Sequence, residues 1–141
     1  MKDNNGQVSL EFLMLFSIFL LFLITFTLPL TETSIKNNLE LEEAISIKYE
    51  LSKLANGITQ IYNQGQGSKK TIILDLKHPI SITINNNSIW TRFFTSDLNY
   101  KYIKFDILYN GVSKTLTFDK GINKIIISWP INSEGMIIDK K

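Results

Sequence analysis

The hydrophobic and polar positions of this chain divide it into three segments with different patterns. Residues 12–31 contain no charged side chain and are dense in Leu, Phe and Ile. A helix of this length, at about 1.5 Å per residue, covers the roughly 30 Å hydrocarbon core of a bilayer. The pattern predicts a membrane-spanning helix over residues 7–30. Pro29, near its exit, is expected either to kink or to end the helix, because proline removes a backbone donor.

The second segment, residues 31–64, has the pattern of an amphipathic helix. Its apolar stripe consists of Leu41, Ala44, Ile47, Leu51, Leu54, Ile58 and Ile61. A broader stripe also includes Ile45, Ala55 and Tyr62. We expect this stripe to pack on the protein's own following domain. Together the two helical segments are predicted to form one long helix from about Val8 to Tyr62.

The third segment begins after NQGQGSKK, residues 63–70, which is predicted to stop the helix and form a turn. Residues 71–141 are rich in β-branched and aromatic residues with turn signals at short spacing, as is typical of antiparallel strands. Asn85 to Asn87 predict one turn. Asn110-Gly111 is the strongest hairpin signal, because both residues tolerate positive φ. The strands around it and the following NKIIISW are predicted to form a three-strand meander.

These patterns together predict an α+β fold. A long N-terminal helix is followed by a head domain, residues 71–141, in which about six antiparallel strands pack on the amphipathic half of the helix.

Composition and charge exclude several function classes. The 141 residues are 44% hydrophobic and 20% charged, which is ordinary for a globular protein and conceals the segregation described above. Without cysteine there is no disulfide, cysteine-ligated zinc or thiol nucleophile. A formal net charge of +2 with dispersed lysines argues against a nucleic-acid partner.

No pattern indicates catalysis. The sole histidine, His78, lies in Lys-His-Pro and is expected in an exposed turn. Metal-ligand spacings, the G-x-S-x-G motif and the phosphate-loop spacing are all missing from the sequence. Trp90 and Trp129 are expected to be partly buried packing residues rather than ligand platforms, while adhesion to a surface or a carbohydrate stays open. We therefore expect that this chain is not an enzyme and that it binds neither a cofactor nor a metal.

The residues before the apolar run carry the most specific motif. The polar hexapeptide MKDNNG ends at Gly6, and QVSLEF follows it. Gln7, Ser9, Glu11 and Phe12, placed directly before an apolar helix, resemble the class III signal peptide of archaeal type IV pilins, Gln-x-Ser-x-Glu-Phe. The resemblance implies that a prepilin peptidase cleaves between Gly6 and Gln7 and removes residues 1–6 as a leader. An ordinary secretory signal would instead carry a small-residue cleavage site after its apolar region.

Glu11 would be the fifth residue of the mature chain, where type IV pilins carry their assembly glutamate. The resemblance implies that it pairs with the new ammonium group of Gln7 on a neighbouring subunit. An unpaired carboxylate among bundled apolar helices costs roughly several kcal/mol. A simpler interpretation stays open, because a glutamate near the positive end of the helix dipole gains about 0.3–1 kcal/mol without a partner.

The function implied by the resemblance is that of a pilin. The chain would be a structural subunit of an archaeal type IV-like pilus, a homopolymer used for surface attachment. Its expected partners are the prepilin peptidase, other subunits, the membrane before assembly, and the pilus assembly platform with its ATPase. The precursor would lie in the cell membrane and the mature chain in an extracellular filament.

One further sequence feature fits an external protein. Asn86-Asn87-Ser88 is an N-glycosylation sequon on a predicted exposed turn, although a chance match is about as common.

An alternative function also stays open. The chain could be a non-polymerising single-pass membrane protein, or a minor pilin-like protein, that presents an extracellular β domain to a ligand.

Overall fold

The computed structural model describes residues 4–94 and 100–141, with side chains from Ser9 onward. Over these residues one long helix, α1, is followed by seven strands. Their bounds are α1 Asn4–Gln64, β1 Lys69–Leu76, β2 Ile80–Ile84, β3 Ser88–Phe94, β4 Tyr100–Asp106, β5 Lys114–Phe118, β6 Gly121–Ser128 and β7 Ile137–Lys140. The predicted α+β class is confirmed. The strand missed by the sequence pattern is β7, a run of only four residues.

Helix α1 ends where the sequence predicts. Gly65 has a φ of 79°, and its N–H donates to the carbonyl of Ile61 at 3.0 Å. This is the left-handed cap that glycine adopts at low cost. The hydroxyl of Ser68 also donates to the carbonyls of Ile61 and Gly65, at 3.3 and 2.6 Å. The last turn of the helix is therefore capped before β1 begins.

The contacts within the chain divide it into two compact units with the boundary between Leu39 and Glu40. In the second unit the strands form two antiparallel sheets. One sheet has the order β1-β6-β7 and the other the order β4-β3-β2-β5. The turn predicted at Asn85 to Asn87 is confirmed, since Asn85 and Ser88 exchange backbone hydrogen bonds of 2.8 and 3.4 Å between β2 and β3.

The hairpin predicted at Asn110-Gly111 is wrong. Strand β4 pairs with β3 and β5 pairs with β2, so β4 and β5 lie at opposite edges of the four-stranded sheet. Neither Asn110 nor Gly111 has a positive φ. The predicted meander is wrong for the same reason, because β5 and β6 belong to different sheets.

Tertiary contacts explain this outcome. After β4 the backbone N–H groups of Ile107 and Tyr109 donate to the carbonyls of Asn87 and Asn86, at 3.1 and 3.2 Å. The chain is thereby held along the β2–β3 turn and crosses the end of the sheet. The Tyr109 hydroxyl then donates to the carbonyl of Val112 at 3.1 Å, and burial raises the pKa of this phenol.

The two sheets meet at strands β5 and β7 through lysine side chains. Lys114 of β5 donates to the carbonyl of Ile138 in β7. Lys140 of β7 donates to the carbonyl of Thr117 in β5 at 3.1 Å. Side-chain ammonium groups thus satisfy carbonyl oxygens that a backbone ladder would otherwise use.

The core lies between the amphipathic part of α1 and both sheets. Its helical members are Ile47, Leu51, Leu54, Ala55, Ile58 and Ile61. Ala44 and Tyr62 pack against this cluster, which confirms most of the predicted stripe. The prediction is wrong at Leu41 and Ile45, which are exposed. At about 100° per residue these two lie roughly 100° and 140° around the helix from Ile58, beyond the face that the strands cover.

The buried stripe generates a stability prediction with a matched control. Ile58 is 0% exposed, and we expect Ile58→Ala to lower the free energy of unfolding by about 2–5 kcal/mol through lost burial and a residual cavity. Ile45→Ala, the same change at a residue 59% exposed, should alter it by less than about 0.5 kcal/mol. The measurement is urea unfolding of the full chain in detergent micelles, followed by tryptophan fluorescence. Equal losses in the two variants would contradict this assignment of the core.

Candidate functional site

The candidate site in the first unit is the apolar surface of α1, residues 10–30, which we call the apolar segment. Every described side chain from Ser9 to Leu39 is exposed. The mean hydropathy reaches 2.5 over an 18-residue window of which no part is buried. By length and composition this is one helix able to cross a membrane among the described residues. Within its own unit this surface is therefore uncovered.

Two of the three hydroxyl groups within the apolar segment, those of Ser17 and Thr25, are satisfied by the helix itself. Ser17 donates to the carbonyl of Leu13 at 2.8 Å, and Thr25 donates to the carbonyl of Leu21 at 2.7 Å. Bonds of this kind remove the cost of placing a hydroxyl in a medium without water. The segment can therefore enter lipid, or contact another apolar helix, with these two hydroxyls already paired.

Glu11 differs from these hydroxyls. It is exposed at the first turn of the apolar segment, and it makes no hydrogen bond or ion pair with another described residue. The other motif residues with described side chains, Ser9 and Phe12, are also exposed. A carboxylate at this position needs water, a headgroup region or a cationic partner, since desolvating it alone is costly.

The predicted cleavage site is described only in part. Gly6 and Gln7 belong to the backbone of α1, while the Gln7 side chain lies outside the described set, as do residues 1–3 of the predicted leader. Gln7 and Glu11 are four residues apart in this helix.

Pro29 lies inside α1 and does not end it. A proline cannot donate to the carbonyl four residues earlier, which here belongs to Thr25. Hydroxyl side chains follow the proline closely: Thr33 donates to the carbonyl of Pro29 and Ser34 to that of Leu30, each at 2.9 Å. The helix continues through the proline with one missing backbone bond and several added side-chain bonds.

Two of the remaining sequence predictions concern exposed turns of the second unit. Asn86 is exposed in the β2–β3 turn, where its Oδ1 accepts a hydrogen bond from the Ser113 hydroxyl at 3.4 Å. His78 is exposed between β1 and β2, as expected, and its Nε2 lies 3.8 Å from Glu43 Oε1. Beside it, Lys77 hydrogen-bonds Glu42 at 2.5 Å and lowers the pKa of that carboxyl.

Both tryptophans are half-buried, as expected. Trp129 stacks on Tyr62 of α1 with ring centroids 5.8 Å apart, and its indole N–H donates to the carbonyl of Ser133 at 3.1 Å. Trp129 is thus a packing residue of the core rim.

Trp90 belongs to a surface that sequence reasoning missed, which we call the aromatic face. It comprises the outward side chains of β3 and β4, namely Trp90, Arg92, Phe94, Tyr100, Tyr102 and Lys104. Ring pairs form across the two strands, at 6.0 Å for Trp90 and Tyr102 and 4.9 Å for Phe94 and Tyr100. The sequence signal for this face is the alternation of side chains in SIWTRFF and YKYIKFD. Which of the alternating sets faces outward is known only from the register of these strands.

Comparisons with known proteins return no match, whether with protein-family models, with curated proteins or with solved structures. Among the described residues, no group of three or more His, Asp or Glu side chains is placed to hold a metal ion. The function is accordingly inferred from the chain's own residues.

Pro29 generates a prediction about the apolar segment. Pro29→Ala restores an N–H donor opposite the Thr25 carbonyl and removes an unfavourable helix residue worth about 3 kcal/mol. We expect amide hydrogen exchange of residues 25–33 in detergent micelles to slow roughly tenfold or more. Leu30→Ala, next to it, changes no backbone donor and serves as the control. Equal slowing in both variants would show that the missing bond has no effect on local opening.

Proposed function

We propose that the chain is a structural subunit of an archaeal type IV-like pilus, cleaved between Gly6 and Gln7 and polymerised through the apolar segment, for attachment to surfaces. The observation that carries the proposal is an apolar helical surface without any cover of its own, preceded directly by the Gln-x-Ser-x-Glu-Phe motif. The proposal includes no catalytic step, cofactor or metal.

The physical argument begins with the need to cover the apolar segment. Each Leu, Ile or Phe side chain gains about 1.5–3 kcal/mol when it leaves water completely. With its residues exposed around the whole helix, the segment must lie in lipid or among other apolar helices. A bilayer supplies the first environment to the precursor, and a bundle of identical helices supplies the second to the filament.

Glu11 distinguishes ordered assembly from simple apolar association. Cleavage before Gln7 creates an ammonium group four residues from Glu11. Within a filament, that carboxylate would lose water and be paired by the ammonium of a neighbouring chain. Mismatched axial positions would leave both charges buried without a partner, at a cost of about 3–5 kcal/mol. The pair would thus select one axial register.

The second unit fits a pilin-like layout, in which a β-sheet head packs on the C-terminal part of the long helix. The inner face of its part of α1, which includes Leu51 and Ile58, is buried in the core of this unit, so that face needs no lipid. We propose that the precursor is held in the cell membrane by the apolar segment and that the head faces outside, where the sequon at Asn86 would be accessible to glycosylation.

The proposal is tested on filaments sheared from cells. We expect intact-mass measurement of their major component to give a chain that begins at Gln7. Gly6→Val, which adds a branched side chain at the cleavage position, should leave the uncleaved chain in the membrane fraction. Detecting only Met1-containing protein in wild-type membranes would reject the proposal. A processed chain that stays in membranes without filaments would favour the alternative of a non-polymerising protein that presents its β domain.

Glu11 provides a second prediction. We expect Glu11→Gln to be cleaved like the wild type but to yield at least tenfold fewer filaments by quantitative electron microscopy, because the ammonium of each subunit loses its charged partner. Glu32→Gln, at an exposed glutamate on the same helix, should assemble normally. If Glu11 only interacts with the helix dipole, the loss is worth about 0.3–1 kcal/mol and filament yield falls less than about fivefold. That smaller effect would reject the pairing role.

A further inference from the structure

We propose that the outer surface of the four-stranded sheet binds a polysaccharide that carries carboxylate groups. This inference names a ligand class for the surface attachment proposed above, and it depends on that proposal only for the external location of the head. Its elements are the aromatic face on β3 and β4, a set of hydroxyls on β2 and β5, and a cavity beside Arg92.

The strand register places these side chains in rows across one surface. Lys104, Trp90, Thr83 and Thr115 form one row. Next to it, Tyr102 lies opposite Arg92 on β4 and β3, and Ser81 lies opposite Thr117 on β2 and β5. Neighbouring strands lie about 4.8 Å apart and successive outward residues about 7 Å apart along a strand. The surface therefore measures roughly 14 Å across its four strands, enough for two or three sugar rings.

The aromatic half of this surface is unusually exposed for rings on a sheet. Tyr102 is 65% exposed, Tyr100 56% and Phe94 49%. A pyranose ring has an apolar C–H face that stacks on aromatic rings, while its hydroxyls point outward from the ring's edge. Tyrosine and tryptophan, with an apolar body and a polar tip, match both parts of such a ligand.

The other half of the surface consists of hydroxyl groups. Thr83 and Thr115 lie 3.0 Å apart, and Ser81 and Thr117 lie 3.3 Å apart, oxygen to oxygen. Each hydroxyl can donate one hydrogen bond and accept two, so both pairs retain capacity for sugar hydroxyls. An interface for a bilayer or an apolar protein would carry aliphatic side chains in these positions.

Arg92 gives the surface its preference for an acidic ligand. It is the only arginine in the chain, its guanidinium lies 5.4 Å from the centre of the Tyr100 ring, and it makes no ion pair with a described carboxylate. A guanidinium held beside an aromatic ring keeps its planar fork available for bidentate bonds to a carboxylate.

A cavity of about 370 Å³ opens beside Arg92 and is lined also by Ser81, His78, Glu43 and Tyr100. Its volume lies in the range of about 300–1,000 Å³ that is typical of small-ligand sites. A uronic acid residue placed here would bring its carboxylate to Arg92 while the neighbouring sugars lie on the rings and hydroxyls.

The inference is tested with full-length protein solubilised as monomers in detergent and immobilised. The main probe is polyguluronate, a polymer of carboxylated sugars, and the comparison probes are neutral dextran, oligo-dT and anionic lipid vesicles. We expect polyguluronate to bind at least tenfold more tightly than any of the other three. Because monomers are used, the result does not depend on whether filaments form.

Two variants with matched controls locate the site. We expect Tyr102→Ala to weaken polyguluronate binding at least tenfold, whereas Tyr49→Ala, at a tyrosine of α1 that is 64% exposed, leaves it unchanged. Arg92→Gln should weaken binding at least tenfold and reduce its salt dependence, whereas Lys120→Gln, at an exposed lysine beside β6, should not. Circular dichroism of each variant checks that the fold is retained.

Several outcomes would overturn the inference. These are absence of polyguluronate binding, binding that survives both Tyr102→Ala and Arg92→Gln, and tighter binding of oligo-dT or vesicles. Normal filaments together with no polyguluronate binding would reject this inference and leave the proposed function intact. If monomers bind polyguluronate but the chain never forms filaments, the proposed function is rejected and this inference is retained.

Discussion

The contact between one face of α1 and two sheets is the interaction on which the second unit depends. Residues such as Leu51, Leu54 and Ile58 belong to a core shared with strands of both sheets. Where β5 meets β7, Lys114 and Lys140 donate to carbonyl oxygens of the opposite strand in place of a backbone ladder. Side-chain bonds to partly exposed ammonium groups hold two sheets together weakly. The buried helix, which contacts the inner face of both, is therefore the main link between them.

The same helix meets a different constraint in the apolar segment. There apolar side chains are exposed on every face of the helix, so the segment needs a cover that its own unit does not supply. The internal bonds of Ser17 and Thr25 show how the sequence adapts to this, since both hydroxyls are satisfied without water. Glu11 has no such internal solution. Because the Glu11 carboxylate has no partner within its own helix, its surroundings must supply water or a cationic group. Glu11 therefore bears on function more directly than its apolar neighbours do.

Local chemistry made much of this fold predictable from sequence. The helical period of the buried stripe, the cap at Gly65 and the turn after Ile84 each depend on residues close together in the chain. The prediction of a hairpin at Asn110-Gly111 is wrong because the local turn preference of these residues competes with the hydrogen bonds of Ile107 and Tyr109 to the distant β2–β3 turn. Ile45 illustrates a second limit of sequence-based prediction. Helical periodicity identifies an apolar stripe, but it does not show how wide a part of that stripe the strands will cover.

The aromatic face could not be found from sequence for a related reason. Alternation along β3 divides its residues into two sets, and either set contains large apolar side chains: Ile89 and Phe93 in one, Trp90 and Phe94 in the other. Only pairing with β2 and β4 decides which set enters the core. Once Ile89 and Phe93 face α1, the opposite set is free of any packing role against the helix. Changing Trp90, Arg92 or Phe94 should therefore leave the contact that joins the two sheets intact, so these positions are free to differ without loss of the core.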